Sequence, residues 1–171
     1  MKKFEFTGET KTLLDGTVLH RIKALVRINF KMVNVEVGDI GGWIEKEDNL
    51  SHDGNAWVYG NASVYGNAWV YGDARVYGNA EVYGNAEVFR TEHCLVIGPI
   101  GSRNAFTTFF RTKDKKIKVV CGCFFGTIDE FLATVKQTRG DSKHAKVYQA
   151  AVEVALAQLE DVERINNYGR G

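Results

Sequence analysis

From Gly54 to Phe89 the chain reads GNAWVY GNASVY GNAWVY GDARVY GNAEVY GNAEVF, six hexads in a row without insertion or deletion. Gly stands at 54, 60, 66, 72, 78 and 84, Ala two residues after each Gly, Val two after each Ala, and Tyr or Phe after each Val. Such identity demands that every hexad adopt the same backbone, so the repeat outranks local propensity. Alternation along Ala-x-Val-Tyr puts Ala and Val on one face and x and Tyr on the other. Gly-Asn or Gly-Asp then supplies a bend, because both residue types tolerate left-handed angles. Strand and corner every six residues predict a polygonal coil stacked by parallel pairing. Its interior must be narrow, since only Ala and Val face inward. A hairpin meander reverses strand direction and would not ask for one residue type at every sixth position.

The register extends upstream in weakened form. Residues 36–53 place Ile40 in a Val slot, Gly42 in a Gly slot, and Ile44 and Leu50 in Ala slots. This stretch reads as a degenerate first turn. Before it, an Asp15-Gly16 turn between apolar runs predicts a hairpin, with further strand over 21–28 and 33–37. After Phe89 the period stops. Cys94–Ile97 is a predicted strand, and Ala105–Arg111 and Ile117–Cys123 form a predicted hairpin around 112–116. Thr127 caps a helix over Ile128–Gln137 that Gly140 ends. Ser142 starts a longer helix to about Ile165, with Ala145, Tyr148, Val152, Ala155, Leu156 and Leu159 on one face.

Val-Tyr-Gly-Asn-Ala-x resembles the hexapeptide-repeat family, whose fold is a left-handed parallel β-helix. The resemblance implies three hexads, or 18 residues, per triangular turn, a left-handed sense and a homotrimer. A narrower resemblance rests on Arg21-Ile22-Lys23-Ala24-Leu25 and on Gly38-Asp39-Ile40-Gly41-Gly42-Trp43-Ile44-Glu45-Lys46-Glu47-Asp48-Asn49-Leu50-Ser51. These look like a group of bacterial and phage proteins in which "RI-x-AL" and "GD-x-GGWIE-x-E-x-NLS" precede hexapeptide repeats. The expected fold is therefore mainly β: a short left-handed parallel β-helix of about three triangular turns with an N-terminal β-cap and a C-terminal α+β module. The expected domains are the cap at 1–35, the helix at 36–89, and the module, a β-hairpin plus two helices, at 90–171.

Composition narrows the function. With 44% hydrophobic and 12% aromatic residues the chain is too apolar for a disordered linker, despite 18 Gly against one Pro. No apolar run reaches membrane-spanning length, and the start MKKFEF has no apolar signal region, so no membrane role is expected. Three Cys, an odd number, suggest free thiols and a cytoplasmic location. The net charge of +1 conceals a basic segment, 90–126, with seven Lys or Arg against two acids.

Four candidate sites follow. The family's enzymes are acyltransferases that use a His base and acyl-CoA; here the His outside the repeat, His52 and His93, are the candidates. No His lies inside the clean hexads and no loop interrupts them. Outward rings at Trp57, Tyr59, Tyr65, Trp69, Tyr71, Tyr77, Tyr83 and Phe89 form a candidate oligomer interface. On an 18-residue turn Tyr59 would stack on Tyr77, Tyr65 on Tyr83 and Tyr71 on Phe89. Gly98-Pro99-Ile100-Gly101-Ser102-Arg103-Asn104 offers backbone freedom and donors, so Ser102, Arg103 and Asn104 with Arg111 and Lys113 form a candidate anion site. A Gly-Pro turn entering a solvated basic hairpin explains the same residues. Cys121 and Cys123 with Cys94 and His93 match no standard zinc spacing, and buried thiols on one strand face are the simpler reading; no metal or cofactor is expected. The leading functional expectation is a non-enzymatic, self-associating binding scaffold. Through the family's distribution and the basic segment, this includes a phage-encoded protein that sequesters a nucleotide-like ligand or antagonises a host defence protein. An acyltransferase is the first alternative. A nucleic-acid-binding module is the second, disfavoured by the acidic neighbours of the basic segment.

Overall fold

The computed structural model describes residues 1–160, and the chain divides into two compact units, Met1–Thr91 and Glu92–Gly171. The first unit begins with β1 (Phe4–Thr12), β2 (Val18–Ala24) and β3 (Ile40–Ile44). Six two-residue strands follow, one per hexad: β4 (Trp57–Val58), β5 (Ser63–Val64), β6 (Trp69–Val70), β7 (Arg75–Val76), β8 (Glu81–Val82) and β9 (Glu87–Val88). The Asp15-Gly16 turn joins β1 to β2: the Gly16 N–H donates to Leu13 at 3.0 Å, and the Asp15 carboxylate accepts from the Thr17 N–H at 2.9 Å.

Each hexad strand pairs in parallel with the one 18 residues away: Trp57 with Arg75, Ser63 with Glu81, Trp69 with Glu87. Backbone N–H groups at 55, 57, 59, 61, 63, 65, 67, 69 and 71 all donate to carbonyls 17 residues on, at 2.8–3.1 Å. Ala at 56, 62, 68, 74, 80 and 86 and Val at 58, 64, 70, 76, 82 and 88 are buried throughout. Gly at 54, 60, 66, 72, 78 and 84 takes left-handed φ between 56° and 71°, the bend that a residue with a side chain adopts only under strain.

The sheet topology corrects the expected architecture. A short left-handed parallel β-helix under a separate β-cap is not what forms. The hexad strands are distributed over small sheets: β4-β7 and β6-β9 stand as parallel pairs, while β5 and β8 belong to a mixed five-stranded sheet of order β1-β2-β3-β5-β8. There β1, β2 and β3 are antiparallel and β3 turns parallel to β5. The N-terminal hairpin thus extends the repeat edgewise. The physical reason lies in β3, whose Trp43 and Ile44 pair with Ser63 and Val64.

The degenerate turn is corrected in the same place. Ile40, placed inward by register, is 51% exposed, whereas Ile44 and Leu50 are buried and Leu50 bridges to Val70. Gly42 is not a corner. It lies in β3, where a Cβ would come within 2.6 Å of the Ala62 carbonyl and of Val58. Between 33 and 37 the expected strand reduces to one bridge, Ile28 to Val35.

The second unit is a four-stranded antiparallel meander, β10 (Cys94–Ile100), β11 (Ala105–Arg111), β12 (Ile117–Cys121) and β13 (Phe124–Thr127), followed by α1 (Ile128–Arg139) and α2 (Lys143–Ala155). Thr127 and Glu130 close a reciprocal capping box on α1, and Ser142 caps α2. Phe109, Val119, Phe131, Val135, Tyr148, Val152 and Leu159 share one core between sheet and helices. After Ala155 the helix widens into one π-helical turn, Leu156–Glu160; the expected continuation to Ile165 lies outside the described residues. Among the described residues no helix is long and apolar enough to cross a membrane.

Candidate functional site

The aromatic side chains of the repeat are stacked as the 18-residue pairing requires. Tyr59 lies 4.7 Å from Tyr77, Tyr65 4.7 Å from Tyr83 and Tyr71 5.3 Å from Phe89, all nearly parallel. The stacks differ in what surrounds them. Phe30 approaches Tyr59 at 6.4 Å, and the Arg75 guanidinium lies over both Phe30 and Tyr77. Beside the second stack, Trp43 is sandwiched between the Lys11 ammonium and the Arg21 guanidinium at 4.7 and 4.9 Å. On the third, Trp69 stacks on Tyr71 at 3.9 Å and stays 44% exposed. Burial pushes the Tyr59 hydroxyl up to about 12 and raises Tyr65 and Tyr83 as well, with Glu81 adding to the last two.

One ring of the expected interface is misplaced: Trp57 is 1% exposed, beneath Gly41, where a Cβ would come within 2.8 Å of the indole. Strand alternation places it outward, but β3 folds over that face and only a glycine lets the backbones approach so closely.

The two candidate histidines are held structurally. His52 accepts the Lys3 N–H at its Nδ1 at 3.1 Å, stacks on Phe4 at 4.3 Å, and brings Nε2 to 3.5 Å from the Glu47 carboxylate. It borders a shallow cavity of about 350 Å³ shared with Glu47, Asp48, Leu50, Ser51 and Trp69. His93 is buried in a 3-10 turn, Thr91–His93. Beside His52, burial depresses the Lys3 ammonium to about 8 although Asp53 opposes the shift.

The Cys pair does not share a face. Cys121 ends β12, accepts from the Thr107 hydroxyl at 3.3 Å and lies 3.9 Å from the Tyr148 hydroxyl, while Cys123 is exposed in the next turn beside Gly122 at φ 58°. Burial pushes the Cys94 thiol up to about 12. Among the described residues no group of three or more His, Cys, Asp or Glu could hold a metal.

The expected anion site comes apart. Ser102, Arg103 and Asn104 are exposed in the turn before β11, and Arg111 ends that strand. At ordinary strand rise, about 20 Å separate them. Gly101 is explained by packing: it holds φ 76°, and a Cβ there would overlap the Tyr148 hydroxyl. Lys113 is exposed in the turn beyond Arg111.

Arg111 stands in a different setting, 8% exposed, on the wall of a cavity of about 520 Å³. The cavity lies between the β11–β12 turn, the start of α1 and the end of α2. Lys115, Lys116, Thr127 and Asp129 supply its other polar groups, and Ile117, Ile128, Leu132, Leu156 and Leu159 its apolar ones. The turn is braced by the Thr112 hydroxyl, which donates to the Asp114 carboxylate at 2.6 Å and accepts the Lys116 N–H at 3.1 Å. Lys115 takes a left-handed φ of 61° there. The basic run signalled Arg111 and Lys113. The five aliphatic residues carried only ordinary core periodicity, and no local pattern could say that they would surround open space. No family model matches the chain, and no curated protein matches it.

Proposed function

We propose that this chain is a non-enzymatic, self-associating binding scaffold that takes a small organic anion in its C-terminal unit. The observation that carries this reading is the 520 Å³ cavity with a buried guanidinium in its wall. Its size falls in the range of small-molecule sites. Three cationic side chains face one carboxylate, Asp129, so the lining carries an excess of positive charge. A guanidinium has five donors, so Arg111 can keep an internal partner and still hold a ligand. Self-association is supported by the Trp69–Tyr71–Phe89 stack, whose outer indole stays exposed. Against acyl transfer, His93 is buried and His52 is engaged on both sides of its ring.

Native mass spectrometry of the intact chain purified from its own host tests both halves at once. The expected spectrum shows an oligomer carrying a small anionic molecule that gentle activation releases. A bare monomer with no adduct overturns the proposal.

A further inference from the structure

We infer that the anion taken by this cavity is an aliphatic monocarboxylate, a fatty-acid-like molecule, and not a nucleotide. The inference rests on the binding-scaffold reading above and narrows it. Its first ground is what the lining lacks. No aromatic ring is among the residues around the cavity, so a nucleobase would find nothing to stack on, and stacking is the main sequence-independent term in base recognition. Two uncharged or acidic polar side chains, Thr127 and Asp129, are too few to read a base edge as well as a ribose. Five Leu and Ile side chains instead offer a continuous hydrocarbon surface, and what they can recognise is a hydrocarbon.

The second ground is charge. Arg111 is the buried cation, and its planar fork matches one carboxylate through two parallel bonds. Lys115 and Lys116 sit on the exposed turn at the rim, and the Lys116 ammonium also reaches the Asp114 carboxylate at 3.7 Å. Asp129, in the first turn of α1, faces the same space. A phosphate dianion meets that carboxylate at full repulsion, whereas a single negative charge is balanced by Arg111 alone. The Glu130 carboxylate is occupied in the capping box, accepting the Thr127 N–H at 2.7 Å, and is not part of the lining.

The third ground is the division of the space. The polar groups lie where the β11–β12 turn meets the start of α1, while Leu156 and Leu159 lie at the end of α2. A head group and a tail are thereby separated, which suits an amphiphile with its charge at one end. The chain would enter carboxylate last, or be captured tail first, with its methylenes along Leu132, Leu156 and Leu159.

Isothermal titration of the full-length chain in detergent-free buffer, with every ligand below its aggregation threshold, provides the test. The probes are octanoate, decanoate, decyltrimethylammonium and adenosine monophosphate. Decanoate is expected to bind once per chain and about sixteenfold more tightly than octanoate, because each buried methylene is worth roughly fourfold. Decyltrimethylammonium and the nucleotide are expected not to bind. Arg111→Gln should weaken decanoate at least tenfold. Leu132→Asn, at a half-exposed position, should shrink the octanoate-to-decanoate ratio with the fold intact by circular dichroism. Binding of the nucleotide without decanoate overturns the ligand class and leaves the anion reading standing. Binding of decanoate and decyltrimethylammonium alike, untouched by Arg111→Gln, overturns the class as non-specific. No binding by any probe, with no adduct in the native spectrum, removes both readings together.

Discussion

The two units of this chain bury their apolar side chains in opposite ways. In the repeat, the inward positions are Ala and Val alone, layer upon layer, and the interior closes so tightly that Gly41 and Gly42 are needed where β3 approaches. In the C-terminal unit the core is built from large, unlike side chains: Phe109 meets Phe131 edge-on, and Phe131 meets Tyr148 edge-on. Identical small residues at fixed spacing leave no interior volume. Large residues meeting across a sheet and two helices leave irregular space, and that is where the 520 Å³ cavity lies. Regularity here makes a frame, and irregularity makes a site.

The largest expected effect that would break this contrast is Phe109→Ala. Removing a fully buried ring should cost about 3–5 kcal/mol. Hydrogen exchange should show lost protection across β10–β13 and retained protection in the hexad ladders. Equal loss in both units would mean that they do not carry separate cores. In the repeat, the sharper probe is a pair of corners. Gly54 and Gly60 both hold left-handed φ, but a Cβ at 54 would lie 2.7 Å from the Gly72 carbonyl, against 3.7 Å from Gly78 at 60. Each Ala substitution costs about 1–2 kcal/mol for the conformation. Gly54→Ala should cost roughly 1–3 kcal/mol more for the clash. Chemical denaturation that ranks the two equally would refute layer stacking as the reason for glycine.

The smallest effect concerns the buried cations, Lys3 in the repeat unit and Arg111 in the other. Burial lowers Lys3 from 10.5 to about 8. Between those values the unfolded chain binds a proton that the folded chain does not, so stability should rise with pH across this window, by at most about 2–3 kcal/mol. Lys3→Met should abolish the rise and leave the Arg111 site unchanged. Denaturation midpoints measured at pH 7.5, 9 and 10.5 decide it; a falling curve in the wild-type chain would show the sign to be wrong. Arginine holds its charge through folding, and a buried cation that stays charged is the one that recruits an anion.

The hexad Gly, Ala and Val positions, the Tyr stacks, both helix caps and the meander strands around Thr112–Lys116 were all legible, because each depends on residues near in sequence or at a fixed period. Other features were not. Strand alternation turned Trp57 outward, and only the pairing of β3 with β5 covers it. The Ser102–Asn104 turn and Arg111 looked adjacent at seven residues' distance, yet a straight strand holds them apart. Cys121 and Cys123 left a shared face because the chain turns at Gly122.

What the sequence by itself determined is the repeat: a period of six, small residues inside, rings outside and glycine at the bends, all dictated by backbone geometry repeated without change. What only the tertiary structure decided is how those strands divide into sheets and where space remains. The hairpin's edge joins the repeat instead of capping it, and Arg111 ends beside five aliphatic side chains. Periodicity reports which face of a strand or helix is apolar. It does not report which other face will meet it, or whether the two will fill the gap between them.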